Sequence, residues 1–287
     1  MTTATGAVLV CVQRRGGRSI LTRCSGTSPL APRVVTGERA DWAQVVLVST
    51  VAGPLAGDEV SLQVEVGAGA CLHLCSAAAT IAHPDGSGNR QPSVQRAHCT
   101  VGAGGRLAWR QAELVLVAGA WHQNVVDLEL QAGAAALIDE MVIRGRHGEP
   151  GGSLAASLRC GLGGRPLLRE RVLIEPDDPI TDSVVVLGGA RVYGSVSLLG
   201  LRATSEDPAE QTLARPGCLQ RALGGDAVTV RTRLAKARAA YLAALLAPGL
   251  PPAGRAQPRT VTPEVVQPGL SAVKHMKAEP NHESASS

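Results

Sequence analysis

The sequence predicts an all-β protein: an elongated body of stacked, helically wound strands with a short C-terminal helical part. Four times a run of alternating apolar residues breaks at a small glycine turn and resumes, in VEVGAGACLHL (64–74), CTVGAGGRLAW (99–109), LELQAGAAALI (128–138) and SLRCGLGGRPLL (157–168). Aligned on Gly69, Gly104, Gly133 and Gly163, the copies stand 35, 29 and 30 residues apart. Such a period marks a repeat architecture whose units bury their apolar faces by stacking on one another. The alternation itself has period two. In the first copy Val60, Leu62, Val64, Val66, Leu72 and Leu74 share one parity and Ser61, Gln63, Glu65 and His73 the other, the pattern of half-buried strand. Composition agrees: with 45% apolar residues but no Phe, two Tyr and three Trp, the core must be built from Val, Leu and Ala, and the 33 Gly serve turns and close strand packing.

Along the chain, VAGPLAGDEV (51–60) forms a turn through Gly53, Pro54, Gly57 and Asp58 that feeds the first repeat. The Asp58 carboxylate stands at a strand entrance, where its simplest role is to cap its own backbone. After the third repeat, DEMVIRGRHGE (139–149) gathers Glu140, Arg144, Arg146, His147 and Glu149 around Gly145 and Gly148, an ion-pair network or a partner contact on a bend. Beyond Asp226, AVTV (227–230) reads as a last strand. From Arg231 to Leu246, Leu234, Tyr241, Leu242 and Leu245 fall on one face of a helix that Pro248 and Gly249 end. Residues 1–249 thus form one β domain with its helix at about 231–246, and the Pro-, Ser- and Ala-rich segment 250–287 reads as a disordered tail whose His275 and His282 are solvated.

Seven cysteines at irregular spacings argue against a disulfide framework, and no charged-then-apolar leader precedes the first strand, so the expected compartment is a reducing cytoplasm. No apolar run approaches the ~20 residues of a membrane span. The net charge of +4 is spread along the chain without a basic stripe interleaved with aromatics, which excludes a recognisable nucleic-acid site. Few aromatics also means few large anchors for a tight partner interface.

Taken in order, these segments resemble the urease accessory protein UreD family, also called UreH, over roughly residues 5 to 245. The family's Gly-Asp before a strand is matched by Gly57 and Asp58, and its Gly-Ala turn with a small-residue run by VGAGACLHLCSAAAT (66–80). Its strand-ending Glu, Gly-Arg and Gly-Glu are matched by Glu140, Gly145, Arg146, Gly148 and Glu149. A Gly-x-Pro-Leu-Leu-x-Glu segment is matched by Gly164 to Glu170. The Pro-Gly-Gly run usual before Gly-Asp is here replaced by Val51 to Ala56. The resemblance implies a non-enzymatic maturation factor, a scaffold that docks apo-urease and recruits the UreF adaptor and the UreG GTPase while nickel passes to the urease active site. It also implies a helically wound β body with an internal, water-lined passage as the nickel route.

The residues are consistent with that role. No phosphate loop ending in Gly-Lys-Ser or Gly-Lys-Thr is present, so GTP hydrolysis must come from a partner, and neither GxSxG nor HExxH occurs. Cys71, His73 and Cys75 alternate on one strand face as the candidate metal cluster. At ~3.3 Å per residue, however, positions 71 and 75 lie about 13 Å apart, beyond one ion's reach unless a bulge folds the strand. Delivery also disfavours thiolate capture: a nanomolar site loaded at about 10⁷ M⁻¹s⁻¹ releases its ion at only about 10⁻² s⁻¹. Asp58, Glu140 and Glu149 are the better ligands for a polar route taken by transient Ni²⁺, with no tightly bound cofactor; the same carboxylates can pair with Arg144 and Arg146 to hold the bend. The alternatives are a cupin-type metal enzyme, which lacks the expected His-x-His with a nearby Glu, and a generic β-solenoid adhesion module, which free cysteines disfavour.

Overall fold

The structure, a computed structural model, describes residues 3–247 apart from 38, 85, 87–90, 177, 204–206 and 208. In chain order its strands are β1 (Thr5–Arg15), β2 (Arg18–Ser25), β3 (Leu30–Val35), β4 (Ala43–Ser49), β5 (Glu59–Val66), β6 (Cys71–Ser76), β7 (Thr80–Ala82), β8 (Ser93–Val101), β9 (Arg106–Arg110), β10 (Leu114–Leu116), β11 (Trp121–Leu130), β12 (Ala135–Arg144), β13 (Ser153–Leu162), β14 (Arg165–Ile174), β15 (Val192–Leu199), β16 (Glu210–Thr212) and β17 (Gly217–Gly224), followed by helix α1 (Ala227–Leu246). One sheet runs β14-β13-β11-β8-β5-β1-β2; the other runs β16-β17-β15-β12-β9-β6-β4-β3, with β10 and β7 beside it.

The repeats are the coils of this winding. In the first three, a strand of one sheet crosses through a four-residue turn to a strand of the other, β5 to β6, β8 to β9 and β11 to β12, and successive coils pair in parallel. The fourth copy departs from the expected coil. Only Gly163 and Gly164 separate β13 from β14, both at positive φ, and the two strands form an antiparallel hairpin within a single sheet. Two consecutive residues at positive φ favour a tight hairpin turn, whereas the longer Gly-Ala-type loops have the reach to cross between layers.

The inward faces of both sheets meet in an apolar layer that includes Val64, Leu72, Val101, Trp109, Leu128 and Ile138. A second inward cluster, with Leu116, Val142, Leu154, Ile174 and Tyr193, lies toward the other ends of the same strands. The outer face of β12, β15 and β17 is covered by α1 through Val230, Leu234, Ala237, Tyr241 and Leu245. The helix approaches closely because position 194 is glycine: a Cβ there would stand 2.6 Å from Val230 Cγ1.

Two expectations for the C-terminal part are corrected. Residues 227–230 are the first turn of the helix, not a strand, because the Asp226 side chain accepts from the Thr229 N–H and starts the helix there. Leu242 is exposed: the buried row advances by three or four residues through Leu234, Ala237, Tyr241 and Leu245, and position 242 lies about 100° round the helix from it. Pro248, Gly249 and the tail with His275 and His282 lie outside the described residues. All seven cysteines are free thiols, and no described helix is long and apolar enough to cross a membrane.

Candidate functional site

Between the two inward apolar clusters runs a polar seam. Glu140 occupies the inward position of β12 between Ile138 of one cluster and Val142 of the other. In β14, Glu170 stands likewise between Leu168 and Val172, and in β15 Ser195 and Ser197 separate Leu199 from Tyr193. Register aligns these groups, since Glu140 is opposite Ser195 and Ser195 is opposite Arg221. Glu170 comes from the facing sheet, where its Oε1 accepts from Arg221 Nε at 2.7 Å and from the Tyr193 hydroxyl at 3.2 Å. Farther along, Asn124 Nδ2 donates across the same gap to Gln111 Oε1 at 3.1 Å. A cavity of about 110 Å³ opens there, lined in part by Gln95, Trp109, Gln111, His122 and Asn124. Trp109 Nε1 and Asn124 Oδ1 find no protein partner, and a polar cavity of this size has room for the waters that would satisfy them.

The residues singled out by sequence are placed as follows. Asp58 is 4% exposed; its Oδ1 accepts from the Ala4 N–H at 2.7 Å and its Oδ2 from the Leu55 N–H at 2.9 Å, so the carboxylate pins the start of β1 to the turn before β5. Arg144 ends β12, and Arg146 and Glu149 lie on the bend after it, away from Glu140. Arg144 pairs with Asp182 at 2.6 Å, and Arg146 Nε donates to Glu149 at 3.0 Å. Arg191 gathers the bend by donating to the carbonyls of Arg144, Arg146 and Glu149. The five residues therefore divide among a turn clamp, a seam carboxyl and a surface bend. Cys71, His73 and Cys75 share the outward side of β6, which keeps unbroken register with both neighbours, so no bulge draws them together. Burial raises both thiols, and burial followed by the Arg110 charge lowers His73. Among the described residues no group of three or more His, Cys, Asp or Glu is placed to hold a metal ion.

A family profile described as UreD urease accessory protein matches residues 4–256. The chain belongs to the UreD family. Relatives include the urease accessory protein UreD of Frankia alni, 37% identical over 248 residues that cover 75% of this chain and 82% of the relative. The urease accessory protein UreD 1 of Streptomyces griseus is 37% identical over 229 residues, covering 79% and 88%. The UreD of Streptomyces avermitilis is 34% identical over 234 residues, covering 78% and 91%. This UreD-family chain thus has its place in urease maturation.

Within the UreD-family body, the seam has unusual electrostatics. Burial, then the charges of Glu170 and Asp139, push the Glu140 carboxyl up to about 7. Burial, then Glu140 and Glu170, also raise the Tyr193 hydroxyl. Asp139, the next residue along β12, points the other way and meets Arg238 of α1 in two bonds of 2.7 and 2.9 Å. His122 is held down to about 4 by burial, with Nδ1 2.8 Å from the Ser93 hydroxyl. Sequence reading met Glu170 only as the end of a matched family segment, without a place in the site, and missed Tyr193, Arg221, Gln111, Asn124 and His122. The available signal was a polar residue at an apolar parity, as Glu170 stands in phase with Leu168 and Val172. Its pairing with a different sheet was not readable from that pattern.

Proposed function

We propose that this chain is a non-enzymatic urease maturation factor that binds apo-urease together with the UreF adaptor and the UreG GTPase and supports GTP-dependent nickel insertion in the cytoplasm. The observation that carries the reading is the polar seam through an otherwise apolar interior, in a chain matched to the UreD family over residues 4–256. Nickel is cargo in this scheme and no resident cofactor is invoked. Carboxylates and water hold Ni²⁺ more weakly than thiolates do and so release it faster, and Glu140 changes protonation near neutral pH, which suits transient contact. Arg146 and Glu149 serve as a partner contact on the exposed bend, where they pair with each other and lend their carbonyls to Arg191.

The test is co-expression of this chain with a urease operon lacking its own UreD, measuring urease activity and bound nickel. Rescue is expected for the native chain, and loss of rescue with the fold retained for Glu140→Ala and Arg146→Ala. Normal maturation by both variants would reduce the seam and the bend to scaffolding, and no rescue by the folded native chain beside compatible UreF and UreG would remove the maturation reading.

A further inference from the structure

We propose that the outer face of β11, β13 and β14 docks an acidic protein surface, an inference that rests on the maturation reading above. The opposite sheet has its outer face covered by α1 over β15, β17 and β12, whereas this face carries side chains that a protein ordinarily keeps apart. The β13–β14 register sets Arg159 directly opposite Arg169 and Ser157 opposite Arg171. Like charges directly opposite one another destabilise a sheet. Asp127 offsets one of them, holding Arg159 in two bonds of 2.5 and 2.7 Å. No carboxylate among the described residues forms an ion pair with Arg169, with Arg171, or with Arg96, which lies on the Arg171 row three strands away, roughly 14 Å at ordinary strand spacing.

The arginines surround a shallow concavity of about 480 Å³, lined among others by Arg96, Val125, Ser157 and Arg171, and a neighbouring one of about 460 Å³ shares Arg159 and Arg169 with it. Exposed Leu173 and Trp121 stand on the same face. In register, Leu173 and Trp121 stand on the rows beyond Arg171, so arginine forks are flanked at one end by an exposed leucine and tryptophan, the composition of a protein interface, and the unpaired cations select carboxylates. A charge that is spread along the sequence is thus gathered by the fold.

The experiment measures binding of the purified full-length chain to purified apo-urease, to UreF and to UreG separately, as a function of salt, with duplex DNA as a fourth probe. The double variant Arg169→Glu/Arg171→Glu is expected to lose at least about tenfold in affinity for one of the three proteins and to flatten its salt dependence, with Arg169→Ala/Arg171→Ala losing less and Arg18→Glu, on β2 at the far edge of the sheet, losing nothing. Unchanged thermal melting shows that the losses are local. If all protein affinities survive the reversal while urease is still activated, the docking surface is wrong and the maturation reading stands. If only DNA retention falls, the face is a nucleic-acid contact and the proposal is overturned. If the native chain binds none of the three proteins and activates no urease, both readings fall together.

Discussion

Asp58 and Glu140 are both carboxylates set into the interior, the first nearly closed off from water at the turn entering β5 and the second half-buried in the middle of β12, and their surroundings are opposite in kind. Asp58 meets two backbone N–H groups at 2.7 and 2.9 Å, donors that exist only because the chain turns there. Glu140 meets an apolar neighbour on each side along its strand and two further acids, and its carboxyl is pushed up to about 7. A buried charge whose partners are backbone explains itself as architecture. One whose neighbours oppose its ionisation does not stabilise the fold, and such groups concentrate where a protein acts.

The sharpest way to break this contrast is Asp58→Ala, which leaves the Ala4 and Leu55 N–H groups without their acceptor. At about 1–3 kcal/mol for each unsatisfied group, the loss is about 4 kcal/mol, or roughly 10 °C in Tm for a domain of this size. A variant melting like the native chain would show that the clamp is redundant. Glu140→Gln should act in the other direction and only above acid pH. Because the folded-state value lies above the unfolded value, the native chain keeps its full stability below about 4.5 and loses it as pH rises toward about 7. Replacing the carboxyl by an amide removes that slope and stabilises the protein at pH 8 by up to about 3 kcal/mol, as denaturant titrations at pH 5 and pH 8 would reveal. Equal pH slopes in the two proteins would mean that Glu140 is better solvated than its packing indicates.

Removing the neighbouring charge tests the same environment more gently. Glu170→Gln should lower the titration midpoint of Glu140, followed by carbon NMR of the carboxyl, whereas an unmoved midpoint would leave burial as the whole cause. The smallest effect is expected at the bend. The Arg146–Glu149 pair is solvent-exposed, so Arg146→Ala should move Tm by less than about 2 °C while abolishing urease activation; a large drop in Tm would make the bend structural.

Much of the architecture was legible before any coordinates. Period-two runs such as Val60 to Leu74 marked strands, and the recurring Gly69, Gly104 and Gly133 marked the coils. The hairpin at Gly163 and Gly164 was misread because alignment on glycine overlooks how many residues separate the strands. The helix start was displaced because Val228 and Val230 have strand character locally, while the Asp226 cap and packing on β15 and β17 decide otherwise.

What the sequence determined alone was the local alternation, the turns and the motif-bearing segments that tie this chain to the UreD family, because each is encoded within a few neighbouring residues. The tertiary structure alone decided that Glu140, Glu170 and Arg221 share one seam and that Arg96, Arg169 and Arg171 share one face. Those groupings depend on the order and register in which distant strands pair, and period two fixes the face of a side chain without fixing its neighbour.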